Sequence, residues 1–218
     1  KILKKPVDNA ANQTYHAASN QLAYTIDNNL YLDGRAITKN KDKNIVSGQS
    51  IARNEFGISG GIFWSTKGSF LAFYQKDETN VHDYPLLDVN TTPASLVSIK
   101  YPMAGQKSEK PKVGIYNTGT KNLVYISPKG ASDDYLTNVT FTPDNNFVII
   151  AEVNRDQNHM WLNVYDANTG AFVRTLLEET SDKWVEPEHP AFFPVATSNN
   201  FVWISEKDGF NNLYYYDF

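Results

Sequence analysis

Cysteine is absent from all 218 residues, which removes disulfides, thiolate nucleophiles and cysteine-ligated zinc together. The redox compartment stays open, because a chain without thiols suits any of them. No basic cluster is longer than Lys4-Lys5, and 20 Lys plus Arg against 24 Asp plus Glu leave a formal charge of −4. The electrostatic footprint of a nucleic-acid binder is therefore missing. No apolar run approaches the roughly 18 residues that a membrane span needs. The first residues, Lys-Ile-Leu-Lys-Lys-Pro, lack the apolar core of a signal peptide, so the chain reads as one already trimmed, or cut out of a longer one. Helical periodicity is nowhere sustained, and helix content is expected to be low.

What is abundant is aromatic. Thirteen Tyr, 12 Phe and 4 Trp accompany 41% hydrophobic and 20% charged residues, a balance that favours a folded, strand-rich chain. A short strand, a polar turn and a second apolar strand recur four times. The instances are Ala17 to Tyr24, Trp64 to Phe73, Phe141 to Ile149 and, more loosely, Phe193-Pro194-Val195 through Trp203. Each turn is built from Gly, Asn, Asp, Pro or Lys, residues that accept left-handed or preset backbone, so the flanking runs read as antiparallel neighbours. A third strand follows each hairpin: Asn29 to Leu32, Val113 to Tyr116, Trp161 to Tyr165 and Leu213 to Tyr216. After turns at 117–121 and 166–170, a fourth follows at Leu123 to Ile126 and Phe172 to Leu176.

This pattern predicts an all-β chain of about four antiparallel four-stranded blades, a partial β-propeller with units near 1–45, 46–130, 131–180 and 181–218. A β-sandwich is the competing all-β architecture. An arc of four blades leaves apolar end faces to be covered by a second copy or by further chain. Residues 78–106 interrupt the second unit. With Val81, Tyr84, Leu86, Leu87, Leu96, Val97, Ile99 and Tyr101 they are too apolar for a solvated loop, so they are expected to project and pack against another surface.

Motifs for chemistry are sparse. The Gly-x-Ser-x-Gly elbow of a serine hydrolase does not occur; Gly57-Ile58-Ser59-Gly60-Gly61 comes nearest and reads as a flexible lead-in to a strand. His16, His82, His159 and His189 are scattered without ligand spacing, and the Asp-rich stretches at 133–134 and 144–146 lack the spaced oxygens of a calcium loop, so no metal and no cofactor is expected. Glu178-Glu179 and the Glu186/Glu188 pair are acidic enough for acid–base work but read first as solvated loop residues, and a glycan-active propeller would need such carboxylates to converge on a cleft. Three sequons begin at Asn12, Asn90 and Asn138, and matter only in a eukaryotic secretory pathway.

Trp64-Ser65-x-Lys67-Gly68-x-Phe70-Leu71-Ala72-Phe73, then the insertion ending Tyr101-Pro102-Met103-Ala104-Gly105, then Val113-Gly114-Ile115-Tyr116, resembles the N-terminal propeller region of the dipeptidyl peptidase IV family. The segments Asn138 to Asp144, Ala151 to Arg155, Thr180 to His189 and Asp208 to Tyr214 continue the likeness over essentially the whole chain, least before Val46. Arg53-Asn54-Glu55-Phe56-Gly57 and the lack of cysteine look more like bacterial members.

The resemblance implies a serine exopeptidase that removes N-terminal dipeptides, with proline or alanine second, and acts in the periplasm or outside the cell. In that family an eight-bladed propeller caps an α/β-hydrolase domain that supplies the Ser, Asp and His. Neither that domain nor the first blades are expected here, so this chain alone has no catalytic residues. By the same resemblance 78–106 lies at a homodimer contact. The family's pair of adjacent glutamates, which holds the peptide's free amine, matches Glu55 with Asn54 beside it; one glutamate of the pair is missing. The competing reading of Glu55 is a solvated residue near Arg53. Trp184, Val185 and Glu186 are expected in an irregular loop near the substrate, against a competing reading in which Trp184 packs between blades. A free-standing propeller-like binding or scaffold protein is the alternative for the whole chain.

Overall fold

Apolar residues alternating between Asn-, Asp- and Gly-rich turns give short strands with two faces to bury. The computed structural model describes residues 4–218 apart from the Arg53 side chain, so the Lys-Ile-Leu start and that side chain lie outside the described residues. The first sheet runs β1 (Ala11–His16), β2 (Gln21–Ile26), β3 (Asn29–Leu32) and β4 (Arg35–Ala36) in sequence order. The second has five strands. In it β5 (Ile45–Ser47) and β6 (Ile62–Trp64) both pair with β7 (Phe70–Asp77). An arm of β8 (Asp83–Asp88) and β9 (Ser95–Lys100) leaves the sheet, which then closes through β10 (Lys110–Asn117) and β11 (Leu123–Tyr125).

The third sheet is β12 (Tyr135–Phe141), β13 (Phe147–Val153), β14 (His159–Asp166) and β15 (Phe172–Thr180), again in sequence order. The fourth holds two strands, β16 (Phe201–Ser205) and β17 (Asn212–Tyr216), with a lone bridge from Phe192 to Val202. The expected inner strand Phe193-Pro194-Val195 does not form. Pro194 has no N–H for a ladder, and only Phe192 reaches β16 with a two-way backbone pair. A single 3-10 turn, Ala52–Asn54, is the one helical element among the described residues, and no helix there is long and apolar enough to cross a membrane.

Successive antiparallel sheets with cores between them are the architecture of part of a β-propeller. Leu71 and Phe73 of β7 face Ala23, Leu30 and Leu32 of the first sheet. The alternate residues Phe70, Ala72 and Tyr74 face Val148 and Ile150 of the third. Beyond them Ile149, Ala151, Leu162 and Val164 meet Phe201 and Trp203 of the fourth. Middle strands are thus buried on both faces, and each fully buried Leu or Ile contributes about 1.5–3 kcal/mol. Close approach needs glycine at Gly170: a Cβ there would lie 2.3 Å from the Tyr125 carbonyl oxygen of the preceding sheet, and the left-handed φ of +72° also disfavours a side chain.

Candidate functional site

The lead-in to β6 is a turn held from below and exposed above. Ile51, Phe56 and Ile58 are buried, Phe56 with its ring centroid 4.8 Å from that of Tyr135. Between them the chain tightens: the Asn54 N–H donates to the Ile51 carbonyl and the Glu55 N–H to the Ala52 carbonyl. The Glu109 carboxylate accepts the Ala52 N–H at 2.7 Å and pairs with Lys76 at 3.4 Å. Three non-glycine residues here are left-handed, Ala52 at φ +50°, Asn54 at +67° and Phe56 at +54°. Each such conformation costs about 1–3 kcal/mol and persists only where packing over-determines it. What the turn lifts into solvent is Asn54 and Glu55, and the Glu55 carboxylate has no hydrogen bond or ion pair with another described residue.

The second part is the connection from β15 toward β16. It forms no strand, yet its backbone is pinned to the third sheet: the Ser181 N–H donates to the Asn158 carbonyl at 3.0 Å and the Val185 N–H to the Gln157 carbonyl at 2.7 Å. Asn138 Nδ2 donates to the Pro187 carbonyl at 2.8 Å. Trp184, Val185 and Glu186 line one cleft of about 510 Å3, with Glu206 and Lys207 on the other side. Trp184 is 60% exposed, and the packing role falls instead to Val185, half-buried against the cluster between the third and fourth sheets. Trp203 closes the cleft floor, its Nε1–H donating to Glu179.

Glu55 and Asn54 do not line that cleft, but their turn touches its wall. A Cβ on Gly57 would sit 1.9 Å from the Glu188 carbonyl oxygen, so the turn and the cleft loop meet backbone to backbone. Sequence reasoning missed three contributors. Glu109 and Gly57 act through contacts distant in sequence. Asn138 stands out in the sequence only as a sequon and as the start of the family-like segment Asn138 to Asp144, although the residue is buried and so closed to modification in the folded chain. Among the described residues no three His, Asp or Glu side chains converge as metal ligands would. His159 instead pairs with Glu178 and stacks on Trp161.

An arc of propeller blades whose exposed Glu55 turn abuts a cleft lined by Trp184 and Trp203 is part of a β-propeller with a candidate functional surface. Residues 2–218 match the family model for the dipeptidyl peptidase IV (DPP IV) N-terminal region, and the chain belongs to that family. It is 25% identical to dipeptidyl aminopeptidase B of Saccharomyces cerevisiae over 91% of its own length and 27% of that protein's. A Bacteroides ovatus protein assigned as a dipeptidyl aminopeptidase IV shares 46% identity and superposes with a TM-score of 0.90, covering 98% of this chain and 30% of that one. Porphyromonas gingivalis dipeptidyl peptidase 4, at 24% identity and a TM-score of 0.86, shares the fold. The chain thus spans about a quarter to a third of the length of these relatives.

Proposed function

We propose that this chain is the part of the propeller that recognises the peptide N-terminus in a dipeptidyl-peptidase-IV-like serine exopeptidase, periplasmic or extracellular, whose complete form releases N-terminal dipeptides with proline or alanine second. The observation that carries this reading is Glu55, an exposed carboxylate with no partner among the described residues, raised on a strained turn whose next glycine abuts the cleft loop. An exopeptidase must tell a free α-ammonium from a blocked one. A fixed carboxylate does so, because a charge-assisted hydrogen bond forms only with the charged amine. Asn54 supplies a neutral polar neighbour where the resemblance implies a second glutamate. Trp184, Val185 and Glu186 offer the adjoining wall, and the Ser, Asp and His that cleave the bond belong to an α/β-hydrolase domain. The arm at 78–106, exposed along most of β8 and β9, is the contact through which two copies associate.

The test is Glu55→Gln in the complete enzyme, which keeps the shape and removes the charge. The expected result is a fall of about 10 to 100-fold in kcat/KM on dipeptidyl anilides, a charged hydrogen bond of about 1.5–3 kcal/mol, with thermal stability unchanged. A variant that cleaves at the parental rate removes Glu55 from the amine site. A complete protein that releases no dipeptides from free N-termini removes the whole reading and favours a binding or scaffold propeller.

A further inference from the structure

We propose that Asn138 is a positioning residue that fixes the loop bearing Trp184, Val185 and Glu186 at a set distance from the Glu55 turn, so that one peptide can engage both; this rests on the reading of the site just given. Asn138 lies in a bulge of β12. Thr137 pairs with Ala151 and Thr140 with Ile149, leaving Asn138 and Val139 without ladder partners. Its φ is +55° and the residue is 6% exposed. Nδ2 donates to Thr137 Oγ1 at 2.9 Å and to the Pro187 carbonyl at 2.8 Å. Because a carbonyl only accepts, that geometry fixes which end of the amide faces the loop.

Three demands meet at this position. The backbone needs a residue that tolerates the left-handed region, the buried Pro187 carbonyl needs a donor, and the reach must span from strand to loop. Glycine meets only the first. Aspartate meets the first and third but would turn an acceptor toward an acceptor. Asparagine meets all three.

The bulge alone does not call for this contact. β1 carries the same feature, with Ala11 paired to Thr25, Thr14 to Ala23, and Asn12 at φ +50° between them. There the amide stays inside its own sheet, donating to Thr25 Oγ1 at 2.8 Å from an exposed position. Asn138 uses the equivalent geometry to hold the next connection instead. The neighbouring carbonyl, Glu188, is seated against Gly57 of the amine turn. Two consecutive carbonyls of the loop are therefore fixed from two sides, one by the third sheet and one by the turn that carries Glu55.

The experiment is Asn138→Gly in the complete enzyme, which keeps the left-handed backbone and deletes the donor, with Asn12→Gly as the matched change in the first sheet. For Asn138→Gly the expected result is a rise in KM of about 10-fold on dipeptidyl anilides, kcat within about two-fold, and faster amide exchange confined to 181–189. Asn12→Gly should move none of these. If Asn138→Gly fails to accumulate folded, Asn138→Asp reads the same point, since it keeps the shape and opposes the Pro187 carbonyl. An unchanged KM in an active enzyme, an unchanged exchange rate over 181–189, or the same KM rise in Asn12→Gly overturns the positioning role and leaves the amine site standing. A parent with no dipeptidyl peptidase activity overturns both.

Discussion

The β13–β14 hairpin and the β8–β9 hairpin are built from similar apolar side chains and end in opposite environments. Ile149, Ile150, Leu162 and Val164 are fully buried, whereas Leu87 is 62% and Leu96 75% exposed. Composition does not separate them; neighbours do. Residues of β13 alternate between a cluster shared with the second sheet and a cluster shared with the fourth, so both faces of the hairpin are covered. In the arm, Leu87 pairs across with Leu96, and Leu86 with Val97 on the opposite face. Each face thus carries exposed apolar side chains that no sheet of the chain covers, which is consistent with the self-association proposed for the arm.

The largest effect that would break this contrast comes from emptying one position in each hairpin. Leu162→Ala should destabilise the protein by about 2–5 kcal/mol, because the interior around it cannot fully collapse onto the cavity. Leu96→Ala should stay within about 0.5 kcal/mol, as surface changes do. Paired thermal and denaturant unfolding measures both. Equal losses would mean that the arm is held by a core of its own.

Charging the arm sharpens the comparison on the association side. Leu87→Lys combined with Leu96→Lys should raise the dissociation constant of the proposed homodimer at least 30-fold, taking about 2 kcal/mol for a central apolar residue, and leave the unfolding of the monomer unchanged. Sedimentation over a concentration series reads the result. A parental protein that is monomeric throughout would remove the arm as a self-association surface and leave its exposed leucines to a different partner.

How much of this was legible in the sequence follows the range of the interactions. The Trp64 to Phe73 hairpin was readable, because its turn residues and strand pattern are local, and Trp64 does pair with Leu71. The four-unit repeat was readable for the same reason. The inner strand of the fourth unit was misread because Phe193 and Val195 are apolar, while Pro194 between them cannot enter a ladder. Strand Ile45–Ser47 is three residues long and carries too little pattern to announce itself. At the site, Glu55 stood out only through the family resemblance, since a lone glutamate before a strand has no local signature. Asn138 could not be read, because its partner, Pro187, is 49 residues away and the contact exists only once the connection folds back across the third sheet.

The smallest effect concerns what locks neighbouring blades together where the arm has no such lock. Asp144, in the turn between β12 and β13, accepts from Thr142 at 2.6 Å, twice from Asn146 at 3.0 Å, and across to the next unit from Asn199 at 2.9 Å. Partial burial opposes its ionisation, but those hydrogen bonds, led by Thr142, outweigh it and hold the carboxyl below its ordinary range. A carboxyl depressed in the folded protein adds stability that is present above the unfolded value of about 3.9, and that stability is lost as pH falls through the folded value. Asp144 is exposed, so solvent screening keeps the contribution under about 1 kcal/mol. Asp144→Asn should therefore lower the unfolding temperature slightly at neutral pH. The gap to the parental protein should then shrink as pH drops below about 4, because protonation removes from the parent the charge that the variant already lacks. A gap that stays constant or widens toward acid would mean that the turn is held by its shape and not by the carboxylate.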